Sequence, residues 1–237
     1  MRKPFKFKQF TIYQDRCAMK IGTDGVLLGA WTNISNSPES VLDIGAGTGI
    51  IGLMLAQRCY ANTIDAIEID EEAFEQCVEN FEASPWSDRL FCYHASLDEF
   101  LDEIDDKYDL IISNPPFYSE QVTSGNIARD QARQNSSLPF NLLLKGVSEL
   151  LSKNGIFAIV VPFKEEKSLL QQALKFELYP VRLLRVKGHP DSEVKRSLIE
   201  FHFKKTEVLT NELIIEKSRH EFTEDYINLT KDFYLKM

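Results

Sequence analysis

Residues 110–119, LIISNPPFYS, run from branched apolar side chains into Asn114, two prolines and Phe117. Asn114 Oδ1 and the Pro115 carbonyl are two neutral acceptors on adjacent residues. Aimed at the two N–H bonds of an amine conjugated to a ring, they would favour a lone pair localised on nitrogen. Such a nitrogen can attack an electrophile without a strong base. Pro115 and Pro116 fix the backbone that carries the acceptors. Phe117 offers a flat apolar face to the ring. Asn114, Pro115, Pro116 and Phe117 are therefore read as one catalytic unit, to be weighed against a chance Asn-Pro-Pro turn.

A second stretch, LDIGAGTGIIGLML (42–55), reads as a strand, a glycine-rich turn and a helix. Gly45, Gly47 and Gly49 remove side chains where a ligand would approach the backbone. The helix start adds free N–H groups. The GxGxG spacing differs from the dinucleotide GxGxxG, and the lysine of a phosphate-binding loop is missing. Asp43 could accept from an ammonium, directly or through water. Glu68, in AIEID (66–70), follows Gly49 at the distance where an acid can accept both hydroxyls of a ribose. Asp70 reads as a helix N-cap, with Ala73 leaving the capping box incomplete. In HASLDEF, Ser96 or Asp98 could contact an adenine amine, or cap a helix.

These residues need strands and helices to position them. Strand-length apolar runs fall at 41–44, 63–69, 90–94, 108–113 and 155–162, with helical patterns between them. Strands separated by helices of that length imply βαβ crossovers and a parallel sheet covered on both faces. After a helix at 164–176, YPVRLLRVKG and VKRSLIEFHF flank the turn-rich GHPDS, an antiparallel hairpin. The expected fold is α/β, a mostly parallel seven-stranded sheet with helices on both faces and a C-terminal antiparallel hairpin. One domain is expected over 1–237, with 1–20 an N-terminal arm and 206–237 a C-terminal extension. The polar stretch 118–137, directly after the NPPF residues, reads as a long loop over the site.

The chain has 237 residues and is 43% hydrophobic, enough for one sizeable core. No apolar run approaches the ~20 residues of a membrane span. Residues 1–10 lack the apolar stretch of a signal peptide. Cys17, Cys59, Cys77 and Cys92 are scattered and the four His show no ligand spacing, so reduced thiols in the cytoplasm and no metal are expected. Net charge is −9, yet residues 1–20 carry +5 and residues 181–205 carry +4. Segregation of this kind can make a basic face on an acidic body.

GxGxG, the second-strand acid and the NPPF tetrapeptide together resemble the amino-methyltransferases of the class I, AdoMet-dependent fold. FTIYQDRCAMKIGTDGVLLGAW (10–31), KRSLIEF (195–201) and EFTEDYINLTKDFYL (221–235) extend the resemblance to bacterial valine-tRNA adenine-N6 methyltransferases over nearly the whole chain. That resemblance implies S-adenosyl-L-methionine (AdoMet) as cofactor and tRNA as partner. The target would be the adenosine 3′ to the anticodon, flipped out of its loop. Lys20, Thr23 and Asp24 would line the methionine end of AdoMet. Asp43, Gly45, Gly47, Gly49, Glu68 and Asn114 would hold the rest. Ser96 departs from the acid common at its position. Lys3, Lys6 and Lys8, interleaved with Phe5, Phe7 and Phe10, suit phosphate contacts plus stacking. Arg129 and Arg133 would grip the anticodon backbone, with Lys195 and Arg196 in the second basic segment. A monomer is expected. Guanine-N2 methylation of ribosomal RNA and N5-methylation of a protein glutamine stay open as alternatives. So does a binding protein that keeps the fold without catalysis.

Overall fold

The computed structural model describes residues 4–116 and 138–236. Lys3, Phe117, Arg129 and Arg133 lie outside the described residues. Along the chain come β1 (Phe5–Lys6), β2 (Thr11–Ile12), α1 (Thr23–Trp31), β3 (Ser40–Ile44), α2 (Ile50–Arg58), β4 (Thr63–Glu68) and α3 (Glu71–Glu82). Then follow β5 (Leu90–His94), α4 (Leu97–Glu103), β6 (Tyr108–Ser113), α5 (Phe140–Leu150), β7 (Leu151–Pro162) and α6 (Phe163–Ala173). The remaining principal elements are β8 (Tyr179–Lys187), β9 (Val194–His202), β10 (Leu209–Ile214) and α7 (Glu224–Thr230).

The main sheet has the order β10-β8-β9-β7-β6-β3-β4-β5. β7, β6, β3, β4 and β5 are parallel, and β9 enters antiparallel between β7 and β8. The parallel strands are branched and apolar because both their faces are covered. One core cluster, with Leu53, Met54 and Ile64, fills one face, and a second, with Ile111, Phe157 and Phe201, fills the other.

Two details differ from the sequence reading. The sheet gains an eighth strand, because β10 pairs parallel with β8 at the edge. The stretch Leu151–Gly155 belongs to β7 and not to the preceding helix. Leu151 continues the apolar periodicity of Val147 and Leu150 in α5, so the pattern alone carries no boundary there.

Residues 5–12 fold back onto the C-terminal segment. Phe7 bridges to Tyr234, and Phe7 and Phe10 are 4% and 5% exposed, packed against Tyr234 and Trp86 respectively. The expected stacking of Phe7 and Phe10 on RNA bases is thereby corrected, since both rings are spent on the core.

Candidate active site

Register brings three predicted residues into one row. Ile44 of β3 pairs with Ile67 of β4 and with Ser113 of β6. One residue further, Glu68, Gly45 and Asn114 stand side by side at the C-terminal end of three neighbouring strands. At about 4.8 Å per strand the two outer residues are roughly 10 Å apart. Crevices outside the carboxyl ends of such strands are where α/β sheets bind ligands. The cleft here is lined by Gly45, Gly47, Glu68, Asn114, Pro115 and Pro116, among others.

Gly45 and Gly47 have φ of +76° and +57°, and a Cβ on either would meet nothing within 4 Å. Both conditions favour glycine: the left-handed backbone, and open space where a ligand can reach the main chain. Gly49 also has positive φ, at +75°, but its Cβ would stand 2.6 Å from Phe81 and 2.8 Å from Cys77. Its role is to let α2 pack against α3, and it makes no part of the cleft lining among the described residues.

Glu68 organises this turn. Its Oε2 accepts from the Gly47 N–H at 2.8 Å, and Oε1 accepts from the Ile69 and Asp70 N–H groups. A carboxylate has about four acceptor positions, so one remains for a ligand hydroxyl. Asp70 caps α3 by accepting from Ala73 N–H. Ser96 reaches the cleft wall, but its hydroxyl is engaged with Glu99 in a complete capping box.

Asp43 is fully buried, and its carboxylate oxygens make no hydrogen bond of ordinary geometry. Burial pushes its pKa up to about 7, opposed by the Gly52 N–H in the first turn of α2 and reinforced by the charge on Glu68. A buried acid left this poorly satisfied is costly unless a cation or donor completes it.

Asn114 is held in place from both sides. Ser113, fully buried, donates from Oγ to the Ile44 carbonyl and ties the end of β6 to β3. Across the cleft, α1 comes so close that a Cβ on Gly25 would lie 3.6 Å from the Asn114 amide nitrogen. Neither Ser113 nor Gly25 stood out in the sequence.

A wall without any motif closes the cleft: Cys17, Ala18 and Met19. They belong to a strap that climbs along α3. Asn80 donates to the carbonyls of Tyr13 and Thr48 and accepts from the Tyr13 N–H. Gln76 accepts from the Arg16 N–H, and the Arg16 guanidinium pairs with Glu75 and Glu79. Burial pushes the Cys17 thiol up to about 12, so it stays protonated and is no nucleophile at neutral pH.

The other predicted residues divide. Thr23 begins α1, and Lys20 just before it is exposed; neither lines the described cleft. Asp24 pairs with Arg196 at 2.8 Å, so one expected cofactor contact and one expected RNA contact hold each other. Arg196 pairs in register with Pro162 at the C-terminal end of β7, on the cleft side of the sheet. Lys8 donates instead to the Lys231 carbonyl, next to Asp232, whose carbonyl accepts from Gln57 in the last turn of α2. That end of α2 is about 13 Å from the glycine turn. The structure does not bring Lys6 or Lys8 to the cleft. Among the described residues no cluster of His, Cys, Asp and Glu is placed to hold a metal, and no helix is long and apolar enough to cross a membrane.

A parallel sheet with a reversed C-terminal hairpin, a glycine-rich turn, a second-strand acid and Asn-Pro-Pro in one cleft defines a methyltransferase of the Rossmann-like class. The family model for the methyltransferase small domain matches residues 22–178. A relative from Flavobacterium johnsoniae, named tRNA1(Val) (adenine(37)-N6)-methyltransferase, is 58% identical over 98% of this chain and 100% of its own. One of the same name from Bacteroides fragilis is 46% identical over the full length of both. The crystal structure of a predicted O-methyltransferase from Agrobacterium tumefaciens superposes with a TM-score of 0.69 at 17% identity, covering 89% of this chain and 96% of that one, which is a likeness of fold. The chain belongs to the tRNA1(Val) (adenine(37)-N6)-methyltransferase family.

Proposed function

We propose that the chain transfers a methyl group from AdoMet to the N6 amine of an adenine in valine tRNA, the adenosine 3′ to the anticodon. The observation that carries this reading is the shared level of Asn114, Gly45 and Glu68 in one cleft. It supports reading Asn114 as an amine clamp beside a nucleoside-binding turn. The names of the full-length relatives supply the RNA and the position.

The cleft fits AdoMet on three counts. Gly45 and Gly47 leave room for a ligand against the backbone. Glu68 keeps one acceptor position for a ribose hydroxyl. Asp43, one residue below the cleft-lining Ile44, is a buried acid outside the lining that an ammonium would complete through water. AdoMet, when bound, supplies an electrophilic methyl group.

The chain's own residues then prepare the amine. Asn114 Oδ1 and the Pro115 carbonyl accept its two N–H bonds, which draws the nitrogen lone pair out of the ring. Both acceptors are neutral and preorganised, so they stabilise the positive charge that develops on nitrogen without reorganising. Ser113 and α1 fix the clamp, and fixed near-attack geometry supplies much of the rate. The surplus proton leaves to water. The four cysteines are free thiols, which supports a cytoplasmic setting.

The test is methyl transfer onto undermodified tRNA and, separately, ribosomal RNA, read by nucleoside mass spectrometry. N6-methyladenosine is expected in the tRNA. Asn114→Ala should lower kcat by roughly 100-fold or more, far more than it weakens AdoMet binding. N2-methylguanosine in the ribosomal RNA, with unmodified tRNA, would replace the substrate. Equal turnover by Asn114→Ala would remove the clamp.

A further inference from the structure

One exposed aromatic ring has no part in the mechanism above. Phe163 is 40% exposed and opens α6 directly after Pro162. β6 and β7 are paired neighbours, with Ser113 opposite Ile159. β6 ends at that level, and β7 runs on three residues to Pro162. Phe163 is thus one strand over from Asn114 and four residues past the level of Ser113, at the same carboxyl end of the sheet.

The ring is braced from one side. The Arg185 guanidinium lies 5.5 Å from its centroid. Arg185 is in turn held by Glu166, with Nη2 donating to Oε1 at 2.7 Å and Nε to Oε2 at 3.2 Å. Fully buried Ser197 donates to the same carboxylate at 2.5 Å, and Glu166 is 7% exposed. Burying a carboxylate and a hydroxyl is costly unless every partner is in place. Here the partners converge on a cation fixed beside an exposed ring. The network also ties α6 to β8 and β9, but that tie would not require an aromatic at the solvent edge. Lys195 stands two residues before Ser197 on the same face of β9, while Arg196 faces the other way, toward Asp24 of α1.

We propose that Phe163, braced by Arg185, is a stacking subsite for a nucleobase of the RNA adjacent to the target adenosine. A flat face takes any base, and the bound guanidinium limits the ring's freedom before RNA arrives, so little ordering is needed on binding. This subsite rests on the tRNA reading given above. It lies outside the clamp, and so it acts on RNA capture and placement and leaves bond formation to Asn114.

The experiment compares Phe163→Ala, Phe163→Leu and Phe163→Trp in the full chain with undermodified valine tRNA and AdoMet. Phe163→Ala and Phe163→Leu should both raise KM for tRNA roughly tenfold, the range for a lost base–aromatic stack. KM for AdoMet should stay within twofold. Phe163→Trp should restore the tRNA KM, and its added emission should be quenched by tRNA. A purely structural role predicts rescue by Leu, which keeps the apolar bulk without the ring. Rescue by Leu, an unchanged KM in Phe163→Ala, or Trp emission indifferent to tRNA would each overturn the subsite. A parent enzyme that leaves tRNA unmethylated would instead overturn the substrate reading itself.

Discussion

The two basic segments look alike in sequence, and their cations differ in place. Residues 1–20 and 181–205 each mix Lys and Arg with aromatic or branched side chains. Residues 5–12 of the first are folded onto the far end of α2, where Phe7 and Phe10 enter the core and Lys8 binds the Lys231 carbonyl, while its Cys17–Met19 reach the cleft wall. The second climbs to the cleft, with Arg196 level with Pro162. A charge on a strand therefore says little until the end of the sheet it occupies is known. The same contrast runs through the whole molecule. At the far end Phe7 and Phe10 are packed into the core, although Tyr60 just past α2 is exposed. The cleft end keeps an unsatisfied acid, two glycines over open space and an exposed ring.

The largest expected effect falls at the far end. Phe7 stacks on Phe10 with centroids 4.7 Å apart and on Tyr234 at 5.7 Å. Phe7→Ala should cost about 3–5 kcal/mol of stability, as core aromatic truncations do. Urea denaturation would read this. The folded fraction should bind tRNA as the parent does. A variant of full stability that loses RNA affinity would reverse the comparison and return the aromatics of the arm to RNA recognition.

The next effect belongs to the cleft end and depends on pH. Asp43 has its pKa raised to about 7, mainly by burial, so the folded state keeps a proton that the unfolded chain has already released. Stability from this group is therefore highest at or below the ordinary carboxylate range and falls as pH rises toward 7, levelling beyond it. Between pH 5 and 8 the decline should be about 2–3 kcal/mol in the ligand-free protein. Asp43→Asn should flatten it. Parallel denaturation profiles for parent and variant across that range would mean that the buried acid is satisfied in solution.

Much of this was legible in the residues because the signals were local. Continuous branched runs gave the parallel strands, and GHPDS between two alternating runs gave the hairpin. Asn114, Gly45 and Glu68 each end a strand, and parallel pairing alone aligns them. What was not legible depends on contacts distant in sequence. The strap at Cys17–Met19 is fixed by Asn80 and Gln76, which bond backbone some 60 to 67 residues away, and no spacing rule encodes that. Gly49 looked like its two neighbours in the motif, yet its missing side chain makes room for Phe81. A glycine in a sequence does not say whether backbone angle, packing or a ligand demands it. Phe5, Phe7 and Phe10 alternate with lysines in a way that suits RNA contact and a packed two-stranded hairpin equally well.

The smallest effect tests the comparison most directly, because the same substitution is made at both ends. Lys195→Ala with Arg196→Ala removes two cations at the cleft. tRNA binding should weaken roughly tenfold at moderate salt, and the slope of log affinity against log salt should fall by about two. Part of the Arg196 effect will come through Asp24, whose pairing anchors the start of α1 beside Asn114, so Asp24→Asn serves as the control. Lys6→Ala with Lys8→Ala removes two cations at the far end, where no cleft residue is near. Affinity should change by less than about twofold and the salt slope by well under one, since screening over a Debye length of about 8 Å leaves exposed charges little reach. Equal slopes for the two double variants would mean that the RNA wraps down the α2 side of the molecule. In that case the basic arm, though packed into the core through its aromatics, would still present its lysines to the same ligand.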